Sequence, residues 1–335
     1  MTERLTIPGF VNAHSHAFQR RLRGKTEGDD FWGWRDAMVA EAERQTPETV
    51  RRDYELAYRE MRAAGYTAVG EFHYLGYDEA LAAAEAAAAA SVRFVLLYTA
   101  YARGGVERFR HASVDDYLDD VARLRAQGLS VGVAPHSVRA CPPDWLEAIA
   151  RHADAEGLVL HVHADEQPRE LEECLAEHGV RPIELLARTG CLGPRTTVIH
   201  ATHADDAELD LLAQTGTRIC ACPTTEANLG DGFLPVGRVR ERGIGLCIGS
   251  DSNSRIDPLE ELRELEGIAR RMKLRRNVIG AETLLCYGSD EGGAALGLDA
   301  WDNIEVDLSH HQLEGVEAGD VFSVLVFGCS ADVLV

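Results

Sequence analysis

No apolar run in this chain approaches the ~20 residues that a membrane-crossing helix needs. Met1 to Pro8 hold no apolar stretch of the kind found in a secretory signal peptide. Basic residues are scarce: 34 Lys and Arg face 55 Asp and Glu, for a net charge of −21. A field of that sign repels nucleic acid and anionic membrane surfaces, which excludes both as general partners. An anionic ligand must therefore be met by individually placed arginines. There is no C-x-x-C pair. Cys141, Cys174, Cys191, Cys220, Cys222, Cys247, Cys286 and Cys329 are scattered, mostly inside apolar runs, and only Cys220 and Cys222 are close. They read as reduced, buried thiols of a cytoplasmic protein. No Gly-rich nucleotide loop follows an early strand, which disfavours an open doubly wound sheet.

What is present is alternation. The 335 residues are 45% hydrophobic and 27% charged, an ordinary globular composition with length for one large core. Short apolar runs at Phe10–Ala13, Ala68–Phe72, Arg93–Tyr98, Ser130–Ala134, Leu158–His163, Thr197–His200, Thr217–Ala221 and Gly245–Ile248 read as strands. Helical stretches between them include Pro47–Ala64, Tyr77–Ala90, Val114–Gln127, Asp144–Glu156, Glu166–Glu177, Arg181–Thr189, Asp206–Thr215 and Leu259–Arg271. Eight such units predict an α/β fold, a distorted (β/α)8 TIM barrel. Asp29–Trp34 and Asn228–Gly232 read as loops over its rim, and Ile304–Leu308 and Val321–Phe327 as further strands.

Barrel enzymes work at the C-terminal ends of their strands. Here histidines or acids recur at those ends: His14 and His16, Glu71 and His73, His136, His163, His200, Asp251. His14 and His16, two apart on a strand, leave it on one side and can hold one divalent metal. An isolated His-x-His is more often a pair of carbonyl-bonded core histidines; the recurrence at other strand ends reverses that reading. His163 supplies a third nitrogen, chosen over His161 because it lies nearer the strand end. Glu166, three residues on, can lean back over the metal, take a proton from its water and deliver it to a leaving nitrogen. His200 stands at the next strand tip as a catalytic imidazole, with His203 already in the loop. Asp251 can both ligate the metal and act as a base. The donors suit zinc, with iron(II) the alternative.

The set His14, His16, His163, Asp251, Glu166 and His200 resembles the mononuclear deaminase branch of the amidohydrolase superfamily. That resemblance implies one zinc in a distorted barrel and displacement of ammonia from an sp² carbon. Longer segments are more specific. His14–Arg20, Phe31–Asp36, Gly65–Tyr74, His136–Arg139, His200–Asp205 and Thr225–Gly232, in that order, are similar to the formimidoylglutamate deiminase family. The family's reaction turns N-formimino-L-glutamate and water into N-formyl-L-glutamate and ammonia, in histidine catabolism. By resemblance Gln19, Arg35, Tyr74, His136 and Arg139 bind the substrate. The chemistry agrees: Arg35 and Arg139 can each clamp a carboxylate of a dianion.

The chain departs from the family at its ends. Residues 9–298 are expected to form the barrel, and 1–8 with 299–335 only a remnant of the small β-sandwich usual there. The chain is then a reduced form or lacks segments. The apolar face left uncovered would need a second subunit, hence a homodimer. Asn253 stands where the family commonly has a histidine. Two other readings are a related deaminase of another amidine, guanidine or aminated heterocycle, and an inactive metal-binding interaction protein. Paired arginines separate the first reading from the second, and Glu166 argues against the third.

Overall fold

The computed structural model describes residues 3–335. Its first strand, β1 (Arg4–Pro8), pairs antiparallel with its last, β10 (Asn303–Asp307). Between them run β2 (Phe10–Ser15), β3 (Tyr66–His73), β4 (Arg93–Ala100), β5 (Val131–Pro135), β6 (Leu160–Ala164), β7 (Thr196–His200), β8 (Arg218–Ala221) and β9 (Leu246–Ile248). These eight are parallel and lie side by side in sequence order, with helices between them. This is the expected (β/α)8 barrel. The strands are buried almost throughout, so they read as continuous apolar runs, the signature of a sheet covered on both faces.

The barrel meets itself where β2 and β9 end. Asp251 N–H donates to the His14 carbonyl at 3.0 Å, and His16 N–H to the Asp251 carbonyl at 2.8 Å. Gly249 permits this approach: a Cβ there would lie 2.7 Å from the His14 carbonyl oxygen. The two-stranded sheet is tied to the barrel by Trp301 Nε1, which donates to the Gly9 carbonyl at 3.0 Å.

Three expectations are corrected. Val321–Phe327 lies in a helix, Val321–Gly328, whose Leu325 and Val326 are fully buried. A short apolar run does not by itself distinguish helix from strand. Asp29–Trp34 is not a loop: the helix Phe31–Glu43 begins inside it, capped by Asp30, whose side chain accepts from Gly33 N–H at 2.9 Å. Glu166 lies outside the helix assigned to it, because Pro168 opens that helix (Pro168–His178) and Asp165 before it is left-handed at φ 57°. Glu166 thereby sits in the turn over the barrel mouth. No helix among the described residues is long and apolar enough to cross a membrane. All eight cysteines are free, and only Cys286 is not fully buried.

Candidate metal centre and substrate cavity

His14 and His163 come from β2 and β6, His16 from just past the end of β2 and Asp251 from the turn after β9, and one ligand atom of each lies within 4.8 Å of all the others. The separations are tighter where resolved by pairs. His14 Nε2 is 3.1 Å from His163 Nε2 and 3.3 Å from Asp251 Oδ1; His16 Nε2 is 3.4 Å from that same oxygen. A tetrahedral zinc with bonds of about 2.0–2.1 Å sets its ligand atoms about 3.3 Å apart.

The tautomers agree. A carbonyl can only accept, so His16 Nδ1 carries the proton that meets the Phe72 carbonyl at 2.9 Å, and His163 Nδ1 the one that meets the His136 carbonyl at 3.0 Å. Their Nε2 lone pairs therefore point inward. His14 is oriented by packing, its ring centroid 4.7 Å from that of His16 and 5.0 Å from that of Phe72. Inward lone pairs repel one another at such distances unless a cation lies between them. Burial, reinforced by the neighbouring imidazoles, pushes His14 and His16 well below the ordinary histidine pKa, and His163 to about 4. All three are neutral ligands near neutral pH. Protons should compete for the nest only as pH falls from the ordinary value of 6.5 towards about 4. Zinc affinity is expected to hold nearly constant from neutral pH to about pH 6 instead of weakening by roughly threefold per histidine, as imidazoles of ordinary pKa would. Competition titration with a chromophoric chelator measures this.

Glu166 and His200 flank the nest without belonging to the ligand cluster. His200 Nε2 is 3.8 Å from Glu166 Oε1 and 3.8 Å from Asp251 Oδ2, and has no hydrogen-bond partner although fully buried. Its Nδ1 faces Glu226 Oε1 at 3.3 Å. Burial disfavours the imidazolium, but Glu166, Glu226 and Asp251 outweigh it and raise His200 to about 10. Both His200 (φ 72°) and Asp251 (φ 42°) have left-handed backbones. Such conformations are uncommon for residues with a Cβ and concentrate at functional sites.

A cavity of about 340 Å³ opens from this centre, a volume suited to a small ligand. All five expected substrate residues, Gln19, Arg35, Tyr74, His136 and Arg139, line it. Gln19 Nε2 donates to Tyr74 Oη at 2.9 Å. His136 is half-buried, and desolvation pushes its pKa well down, with His163 and Arg139 adding to the effect. Arg139 reaches Glu166 at 3.3 Å. Arg35 is half-buried, makes no ion pair with any acid among the described residues, and lies 6.0 Å over Trp32. The helix Phe31–Glu43, whose first residues up to Trp34 were expected in a loop, supplies one wall of the cavity.

Two of the expected strand-end groups face elsewhere. Glu71 accepts from Ala17 N–H at 2.8 Å in a fully buried position, where desolvation raises it to about 8. His73 bonds Tyr54 and the Gly76 carbonyl. Both alternate with Phe72, which is the inward residue against the imidazoles. His161 faces the Ala295 carbonyl at 2.8 Å, away from the centre. Sequence reasoning passed over Glu226, Glu170, Tyr101 and Arg103. The available signal for Glu226 was its place four residues after Cys222 at the end of β8, where its carboxylate returns to accept from Cys222 N–H at 2.9 Å.

An eight-stranded barrel whose strand ends gather three neutral imidazoles and a carboxylate round one point is the architecture of a metal-dependent hydrolase. The chain belongs to the amidohydrolase family, whose model matches residues 5–298. It is 37% identical over 300 residues to formimidoylglutamate deiminase of Pseudomonas aeruginosa, a match covering 81% of this chain and 66% of that one. It is 32% identical over 304 residues to 5-methylthioadenosine/S-adenosylhomocysteine deaminase of Haloarcula marismortui, covering 88% and 69%. The chain thus spans about two thirds of the length of these curated relatives. A crystal structure of an adenosine deaminase from Xanthomonas campestris with bound zinc superposes with a TM-score of 0.90 at 25% identity, covering 99% of this chain and 78% of that one. The donor set and that neighbour together assign one divalent cation, zinc, to this chain.

Proposed function

We propose that this chain hydrolyses the C=N bond of N-formimino-L-glutamate, giving N-formyl-L-glutamate and ammonia. The observation that carries the substrate is Arg35. A half-buried guanidinium without an acidic partner, in a chain of net charge −21, is a vacant carboxylate seat. Arg35 and Arg139 both line this cavity. Two seats suit a substrate with two carboxylates. Its amidine head then meets Gln19 and Tyr74, which hydrogen-bond and orient it.

His14, His16, His163 and Asp251 hold the cation, which supplies Lewis-acid polarisation and a water acidic enough to attack near neutral pH. Asp251 Oδ2 takes up the proton released as water adds to the formimino carbon, with the charged His200 ring 3.8 Å from it. The terminal nitrogen gains two protons: Glu166 hands one over and regains it from the hydroxyl of the tetrahedral carbon, and the one taken up by Asp251 follows. The bond from carbon to that nitrogen breaks, ammonia leaves, and the water oxygen remains as the formamide carbonyl.

Arg35→Met is expected to lower kcat/KM for formiminoglutamate by roughly 10–100-fold, the cost of a charge-assisted hydrogen bond. A second reading has one observation in its favour: Phe31, Trp32, Trp34, Tyr74, Tyr101 and Phe109 ring the cavity and could stack a heterocycle. Ammonia release from the zinc-loaded protein with formiminoglutamate, its aspartate homologue and 5-methylthioadenosine decides between them. Preference for the nucleoside would overturn the deiminase reading.

A further inference from the structure

Arg139 stands between two glutamates. Its Nη2 is 3.3 Å from Glu166 Oε2, and its Nε is 3.8 Å from Glu170 Oε1. Glu170 is four residues beyond Glu166, is 1% exposed, and accepts from Glu166 N–H through Oε2 at 3.0 Å. Its other oxygen, Oε1, has no hydrogen-bond partner among the described residues, and neither has Arg139 Nε facing it. Two buried, oppositely charged atoms thus lie just short of bonding distance. The Arg139 backbone is pinned, since Arg103 Nε donates to its carbonyl at 3.0 Å. Its side chain makes one hydrogen bond, to Glu166.

The contact with Glu166 has a cost for turnover. In this contact the guanidinium engages Glu166 Oε2, an oxygen the carboxylate needs for carrying a proton. We propose that Arg139 is a latch worked by the substrate. A ligand carboxylate takes over the guanidinium fork, Arg139 releases Glu166, and its Nε closes onto Glu170 Oε1. Glu170 is thereby a positioning residue that holds Arg139 in the carboxylate-bound seat. This deepens the proposed reaction and rests on it. Recognition of the charged tail is then coupled to proton transfer at the far end, so that binding energy raises kcat as well as lowering KM.

The test is Glu170→Gln in the zinc-loaded full chain. Glutamine keeps an acceptor for Glu166 N–H and removes the charge facing Arg139, so circular dichroism and zinc content stay at wild-type values. Turnover of formiminoglutamate is expected to fall by roughly a hundredfold in kcat. Turnover of an N-alkyl formamidine without carboxylates, already slow in the wild type, is expected not to change. Equal losses on both substrates would mean that Glu170 serves the fold alone and would overturn the latch. Full kcat on formiminoglutamate in the variant would overturn the latch and leave the proposed reaction standing. A wild-type chain that neither turns over formiminoglutamate nor binds glutarate in calorimetry would remove the proposed substrate, and the latch with it.

Discussion

Glu166→Gln is expected to keep its zinc and lose turnover by roughly 10²–10⁴-fold, the range supplied by a positioned general acid or base. The geometry separates the two outcomes. Glu166 is not among the clustered ligand atoms, so the cation does not depend on it. Its Oε1 lies 3.8 Å from His200 Nε2 at the cavity wall, where a leaving nitrogen must sit. Glutamine matches the shape and can still offer an oxygen, but it cannot give up a proton and take it back. Metal analysis beside single-turnover kinetics on formiminoglutamate gives the answer. A fully active variant would hand the proton transfer to His200 or Asp251 alone.

His163→Ala should do the reverse and empty the centre. It deletes one of three imidazoles whose lone pairs converge, so its effect on zinc affinity should exceed the roughly 10–100-fold that loss of an outer-shell partner costs. Activity should vanish with it. Ligand binding to the native state stabilises by about 4 kcal/mol at a thousandfold excess over Kd. Zinc should therefore raise the unfolding temperature of the wild type and leave that of the variant unmoved. His161→Ala is the control. It is equally buried and on the same strand, but its ring faces the Ala295 carbonyl, so it should cost stability while retaining zinc. If the control loses zinc and His163→Ala keeps it, the ligand assignment is wrong.

The barrel was legible because its strands are short apolar runs and its helices carry clear start signals. Thr46–Pro47 and Asp205, for example, both form capping boxes. His14, His16 and His163, which the structure brings together, could be picked out because they fall at strand ends. Less could be read where the backbone leaves the regular menu. Strict alternation would not aim His200 and Asp251, whose left-handed φ values set their direction. Glu71 and His73 looked equivalent to the true rim groups, since sequence does not say which parity of β3 faces inward. Phe72 decides that by packing on the imidazoles. Glu170 and Glu226 were invisible because each returns to a backbone N–H four residues earlier, a contact that depends on the pitch of a turn. The helix Phe31–Glu43 was misread although its capping aspartate was in view, because Gly33 and the run of aromatics resemble a loop.

The junction of β2 with β9 has a consequence of its own. His14 and His16 are among the first barrel residues a ribosome delivers, and Asp251 arrives only with the eighth strand. The same two backbone hydrogen bonds that zip this seam also bring the carboxylate to the imidazoles. An ion held there certifies that the circle has closed. During synthesis or refolding, metal capture should be a late event, and amide hydrogens along the seam should exchange far more slowly once it has occurred.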